Sequence, residues 1–481
     1  MQSRLTIAFL ILSFQATLFR CVAEAKNQQC RLQARHNQQV ITKPPTESGT
    51  TTIASGSTSS GATRPTVSSS SASTAIPTLA PFDYTNEKIR GVNLGGWLVL
   101  EPWITPSVFE STGNVNIVDE FTLGQLLDQK IALSILTNHW ETWITEDDFA
   151  QISAAGLNHV RIPIGYWSIP LTSADTNTST STSPYTTGAW PYLLQALTWA
   201  QKHNIYVILD LHGAPGSQNG YDNSGQRTSN PVWAVNADNI TRTVDTLRFL
   251  AENVGNQVSV MELLNEGAGF LGNSWAAAIR SYFTNAYSAV RGAAGQGIKV
   301  MIGDAFLGVS SWTNFLTPPQ GQGVMMDFHE YQIFSDPELD RSFDDHISFA
   351  CTYTQSLSSF ADSNLWTVLG EWSNAVTDCA LWLNGRGIGA RWDGTYFPSA
   401  SSVVHGTCSN YTGNYTGWTN EYLTFLRQYW EVQVDVGESV QGWVFWTWKA
   451  ENADEWSYQR GLLGGWIPQD PTERMYPGIC A

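Results

Sequence analysis

From about Ile89 to Trp448 the chain repeats one pattern, a short apolar run followed by a segment of helical character, and that recurrence limits the fold more than any other feature. Candidate strands are Ile89–Leu98, His159–Tyr166, Tyr206–Gly213, Val258–Glu266, Lys299–Asp304, Val324–Tyr331, Thr367–Trp372 and Gln441–Trp448. Glu146–Ala155, Trp190–His203, Asn236–Asn253 and Ser274–Arg291 read as helices between them. Eight β/α units predict an α/β chain folded as a (β/α)8 TIM barrel. A doubly wound open sheet is the rival, but no Gly-rich phosphate loop follows the first strand. No internal repeat is visible. The length of 481 residues would alone suggest about three domains, yet barrels often exceed that prior as one unit.

The barrel is expected over residues 82–481, behind two segments of another character. Residues 1–25 read as a secretory signal: Arg4 supplies the charge, Leu5–Phe19 the apolar stretch, and Ala23-Glu24-Ala25 the cleavage site. A membrane anchor is the alternative reading, but the stretch is short for a span and none follows it. No apolar tail closes the sequence, which speaks against a lipid anchor. Residues 26–81 read as a disordered linker. Thr46–Thr78 is Ser/Thr-rich and short of large apolar side chains, so burial cannot offset its ordering entropy.

A formal charge of −17 leaves no basic footprint for nucleic acid or an anionic membrane, whereas a neutral sugar polymer is compatible with it. The 21 Trp and 17 Tyr exceed what a core of this size needs and fit a carbohydrate-binding surface or a β-rich secreted scaffold. Secretion permits disulfides. Cys351, Cys379, Cys408 and Cys480 suffice for two bridges, spacing alone leaves three pairings open, and Cys30 is left over. Asn177, Asn239, Asn410 and Asn414 begin N-x-S/T sequons. The scattered His residues lack ligand spacing, so neither metal nor cofactor is expected, and the protein is read as a monomer.

Polar residues gather at the C-terminal ends of the candidate strands: Arg161, His212, Asn265-Glu266, His329 with Tyr331, Glu371 and Trp448. In a barrel those ends meet on one face. Glu266 ends the fourth run and Glu371 lies at the end of the seventh, on opposite sides of the mouth. Glycosidic cleavage needs such a pair, one carboxyl to protonate the leaving oxygen and one to meet the developing oxocarbenium carbon. Alone, either Glu could be a helix-start charge complementing the dipole. His212 has the alternative of a satisfied core histidine, and Tyr331 and Phe334 of core or rim aromatics. His159 reads as core. Alternation along Gly442–Trp448 puts Val444, Trp446 and Trp448 on one face, with Trp443 and Phe445 packed behind.

Leu264-Asn265-Glu266 and Gly370-Glu371-Trp372 resemble the signatures of clan A, family five glycoside hydrolases. Val92-Asn93-Leu94-Gly95-Gly96-Trp97, Leu100-Glu101-Pro102-Trp103, Val160-Arg161-Ile162-Pro163, Asp210–Gly216, Ser217–Gly225 and Thr377–Gly385 resemble the fungal exo-β-1,3-glucanase subfamily, so the likeness runs from about Ile89 onward. It implies Glu266 as acid/base, Glu371 as nucleophile, and Asn265 on the sugar 2-hydroxyl. It implies that Arg161 and Tyr331 orient Glu371, and that Glu101, His212, Asn223 and His329 bind or support sugar hydroxyls. Trp448 is expected beneath the −1 glucose, and Tyr221 with Phe334 around the next sugar, although the subfamily usually has Phe where Tyr221 stands. The same likeness implies Cys379–Cys408 and Cys351–Cys480 as the bridges. Gly267 stands where the family commonly has Pro, and Glu330 where relatives often carry a second His.

The reading is a secreted retaining exo-β-1,3-glucanase, located outside the cell or in its wall and acting on β-glucan or β-glucosides. A β-glucosidase or rutinosidase-like diglycosidase on the same barrel is the alternative, and transglycosylation could accompany either. A catalytically dead wall or binding protein is opposed by the presence of both carboxylates and Asn265.

Overall fold

The computed structural model describes residues 79–176, 179–397 and 403–480. The expected leader, the linker up to residue 78, Cys30 and the sequon at Asn177 lie outside them. Eight strands form a closed barrel in sequence order, each parallel to the next and β8 paired back to β1. They are β1 Ile89–Asn93, β2 His159–Gly165, β3 Tyr206–Gly213, β4 Val260–Glu262, β5 Lys299–Gly303, β6 Val324–Glu330, β7 Trp366–Trp372 and β8 Gly442–Phe445.

The expected strands are all present, but three stop early: β1 at Asn93, β4 at Glu262 and β8 at Phe445. Beyond these points the chain keeps only isolated links to its neighbours, such as Asn265 N–H to the Leu211 carbonyl and Trp446 N–H to that of Trp372. Periodicity cannot see that boundary, because the residues past it stay buried. Helices Glu146–Ala154, Trp190–Lys202, Ala237–Val254 and Asn273–Ala294 match the periodic segments, and Phe343–Ser363 and Asn420–Glu438 complete the outer ring. Their starts carry local signals: Thr145 with Asp148, and Ser342 with Asp345, form capping boxes. Between β5 and β6 a short 3-10 turn, Val309–Trp312, takes the place of a long helix.

One apolar layer fills the barrel: Ile89, Ile208, Val260, Met301, Met325, Val368 and Val444, sealed below by Phe82 and Tyr84. Side chains two residues apart share a strand face. The inward face that holds Ile208, Val260 and Met325 therefore continues upward into Asp210, Glu262 and Asp327, and then into His212 on β3 and His329 on β6. Trp443 and Phe445 pack outside, against the helices.

Two disulfides brace the C-terminal half. Cys351–Cys480 ties the chain end to helix Phe343–Ser363, and Cys379–Cys408 closes the loop after β7, the pairing that the resemblance implied. By loop entropy each is worth about 3–5 kcal/mol. Asn410 and Asn414 are exposed, whereas Asn239 is buried. No helix among the described residues is long and apolar enough to cross a membrane.

Candidate active site

Arg161, fully buried at the centre of the barrel mouth, organises the floor of the site. Its Nε donates to Glu262 at 2.7 Å, one terminal nitrogen donates to Glu371 at 2.7 Å and Asn93 at 3.0 Å, and the other donates to Asn265 at 2.9 Å. Asp210 stands 3.1 Å from that last nitrogen and Asp327 3.9 Å. A cation in so dry a place needs this many acceptors. Burial raises Glu262 well above the usual carboxylate range, against the pull of Arg161. Asp327 is likewise pressed upward by burial, but His329 and Arg161 outweigh that and hold it ionised.

Asp327 also explains a glycine. A Cβ on Gly370 would lie 1.8 Å from the Asp327 carboxylate, so only glycine allows β7 to pass it. The pairing of β6 with β7 shifts register there, bringing His329 opposite Glu371. Asn93 donates to the Gly370 carbonyl at 3.1 Å, fixing the backbone just before Glu371.

Glu266 sits four residues past the end of β4, with φ of 45°. That left-handed backbone is uncommon for a side-chain-bearing residue and aims the carboxylate across the mouth. Its oxygens meet Asn223 Nδ2 at 2.8 Å and His329 Nδ1 at 3.1 Å. Glu371 receives Tyr331 O–H at 3.0 Å beside its Arg161 contact, and lies 3.5 Å from His329 Nδ1. An oxygen of Glu266, an oxygen of Glu371 and a nitrogen of His329 lie within 4.8 Å of one another. Carboxyls that close suit a double displacement, since inverting pairs stand about 6.5–9.5 Å apart to admit a water.

His329 is the electrostatic hinge of the pair. Burial lowers its proton affinity, but Glu371 and Asp327 overcome that and hold it well above the ordinary histidine range, with Nε2 2.9 Å from Asp327. The imidazolium in turn outweighs burial at Glu266, which ends below its usual value. At Glu371 burial prevails over His329 and Arg161, and the carboxyl ends above its usual value. The proton affinities of the three groups therefore depend on one another, with the shared proton favoured on His329.

His212 is buried and also belongs to the site: Nδ1 is 2.5 Å from Asp210, which leaves Nε2 toward the Asn265 amide at 3.4 Å. Gln218 links this side to the next by donating to the His212 carbonyl at 2.7 Å and the Asn265 carbonyl at 3.1 Å. Glu101, held by Trp103 Nε1 at 2.9 Å, is raised well above its usual value by burial and then by Asp222. Asp222 itself is pushed up by burial to about 7, and its Oδ2 has no partner. Tyr221 and Phe334 stand at the rim, 47% and 44% exposed, and the Tyr331 and Phe334 rings meet edge to face at 5.8 Å.

Trp448 departs from the expected arrangement. It is fully buried in the layer between barrel and helices, with Nε1 on Asp148 at 2.9 Å. Trp446 faces the site instead, its ring nearly parallel to His212 at 5.6 Å. β8 ends at Phe445, so two-residue alternation cannot be carried to Trp448. Sequence reasoning also passed over Asn93, Asp210, Gln218, Asp222, Glu262 and Asp327. A signal for three of them was present, because a carboxylate inside a strand needs a buried partner.

Gly267 has an ordinary backbone and is buried, with a Cβ position 3.2 Å from Ile279. Glu330 points away from the mouth and accepts from Gln433 at 2.6 Å. His159 is in the core beside Tyr84, as expected.

Residues 127–392 match the model of the cellulase family, glycosyl hydrolase family 5. A glucan 1,3-beta-glucosidase of Blumeria graminis is 44% identical over 405 residues, covering 83% of this chain and 91% of the relative. A probable glucan 1,3-beta-glucosidase A of Aspergillus fumigatus is 41% identical over 415 residues, covering 85% and 94%. In fold, the crystal structure of rutinosidase from Aspergillus niger superposes with a TM-score of 0.61 at 20% identity, over 81% of this chain and 100% of that one. Barrel, paired carboxylates and relatives agree: the chain is a glycoside hydrolase and belongs to glycosyl hydrolase family 5.

Proposed function

We propose that this protein is a retaining exo-β-1,3-glucanase that releases glucose from the non-reducing ends of β-1,3-glucan, with Glu371 as nucleophile and Glu266 as acid/base. The observation that carries the reading is the approach of the two carboxyls to within 4.8 Å, with His329 between them. The glucan 1,3-beta-glucosidase names of relatives at 41–44% identity support the choice of substrate.

In the free site the shared proton rests on His329 Nδ1, 3.1 Å from Glu266. Sugar filling the pocket displaces water and disfavours separated charges, so the proton passes to Glu266. Glu371 attacks the anomeric carbon as Glu266 protonates the departing oxygen, leaving a glucosyl ester. Forming the ester removes the charge of Glu371, and Glu266 is then the carboxylate that takes a proton from water. Water adds to the anomeric carbon, and Glu371 leaves as carboxylate. Asn265 holds the 2-hydroxyl, while Arg161 and Tyr331 keep Glu371 aimed. The wide face of Trp446, rather than Trp448, supports the −1 ring. Glu101, Asp222, Asn223 and His212 surround its hydroxyls, and a closed −1 end produces exo cleavage. Secretion to the cell surface or wall accords with the two disulfides.

Proton NMR during early hydrolysis of laminarin oligomers tests this reading. β-Glucose is the expected first product. Initial α-glucose would exclude retention, and a ladder of longer oligosaccharides would exclude exo action.

A further inference from the structure

After β7 the chain reaches the rim near Tyr221 with Arg391 and Tyr396, and the segment after β6 carries Phe334. His405 joins them. Its side chain is only 3% exposed, with Nδ1 2.9 Å from Asp340 and Nε2 3.2 Å from Asp336. Carboxylates only accept, so both contacts are hydrogen bonds when both ring nitrogens carry protons. Asp336 begins the short helix Asp336–Leu339, two residues after Phe334, and Phe334 N–H is itself held by Glu338 at 2.9 Å. On its other side His405 lies nearly parallel to Trp392 at 5.9 Å and donates its backbone N–H to the Trp392 carbonyl at 2.9 Å. Asp378 fixes that stretch by accepting from the backbone of Arg391 and Trp392 at 2.8 and 3.0 Å. Arg391 lies over the Tyr396 ring at 3.9 Å, and both are near enough to Tyr221 to act on the charge of its phenol.

We infer that His405 is a positioning residue for acceptor recognition, a latch that sets the gap between Phe334 and the Arg391–Tyr396 wall across which the leaving sugar lies. It touches neither Glu266 nor Glu371, so its loss should change what the enzyme grips beyond the cleaved bond and leave cleavage itself intact. The inference rests on the glycosidase reading above, though not on its β-1,3 preference.

The test compares two substrates in wild type, His405→Ala and the Asp336→Asn/Asp340→Asn double variant. One substrate is β-glucosyl fluoride, whose leaving group does not reach the rim. The other is whichever of laminaribiose, gentiobiose and cellobiose the wild type cleaves fastest. Both variants should lose about tenfold in kcat/KM on the disaccharide, mostly through KM, and stay within about twofold on the fluoride. Equal losses on both substrates, or no loss on the disaccharide, would overturn the latch. If His405→Ala does not fold, the double variant gives the same ratio. A wild type that prefers another linkage to laminaribiose counts against the β-1,3 reading alone.

Discussion

The floor of the site and its rim are held in different ways. Around Arg161, buried charges on strand ends are locked to one another, with Glu262 and Glu371 each 2.7 Å from the guanidinium. At the rim, Tyr221 and Phe334 are nearly half exposed and sit on loops, that of Phe334 running into Asp336, which His405 holds. A floor of this kind fixes reacting groups at little cost in reorganisation, which suits chemistry. A rim of exposed aromatics on loops can alter which sugar is held without disturbing the floor. Substitutions in the floor should therefore act on kcat and those in the rim on KM.

Glu371→Ala carries the largest expected effect, a loss of at least about 10⁴-fold in kcat on aryl glucosides, because no other group can form the ester. Added azide should restore turnover and give α-glucosyl azide, detected by NMR. Restoration with a β product would place the nucleophile elsewhere. Glu266→Gln should cost about 10²–10⁴-fold on laminarin and much less in the glycosylation step with a good leaving group. Burst kinetics on a dinitrophenyl glucoside measures that step, and equal losses on both substrates would remove the acid/base role.

The two regions were not equally legible in the sequence. Glu266, Glu371, Asn265 and His329 lie near or just beyond the ends of apolar runs, so strand recognition with barrel geometry brought them together, whereas Arg161 is the third residue of β2. Motif resemblance then supplied their expected roles. The acids that surround Arg161 were harder to see, because Asp210, Glu262 and Asp327 lie within runs that read simply as buried strand. The exchange of Trp448 for Trp446 has a local cause. Alternation holds for Trp443, Val444 and Phe445 but stops with the strand, and nothing in the composition of Phe445-Trp446-Thr447-Trp448 marks where that happens. At the rim, His405 and Asp336 are 69 residues apart, too distant for any sequence pattern to pair them.

His329→Gln should act within the floor without abolishing chemistry, and its signature is in pH. The imidazolium lowers Glu371, so its loss raises that carboxyl further and moves the acid limb of kcat/KM to higher pH. His329 also retains the shared proton well above the ordinary histidine range, so its loss moves the alkaline limb to lower pH. The bell should narrow from both sides, by on the order of one pH unit each. A profile lowered uniformly, with both limbs unmoved, would show that His329 does not govern the pair.

The smallest effect belongs to the rim. Phe334→Ala removes a ring that meets Tyr331 at 5.8 Å and is 44% exposed, so the fold loses only part of one side chain's buried area and the floor keeps its hydrogen bonds. An aromatic contact of this kind is worth about 0.5–1.5 kcal/mol, or roughly two- to tenfold in binding. KM for laminaritriose should rise by that factor while kcat holds within about twofold. Tyr331 links rim to floor through its bond to Glu371, and this makes the outcome decisive. If Phe334→Ala lowers kcat as much as it raises KM, the ring is supporting Tyr331 and hence the nucleophile, and rim and floor are one unit. If only KM moves, the two regions are separable and acceptor preference can be changed by the rim alone.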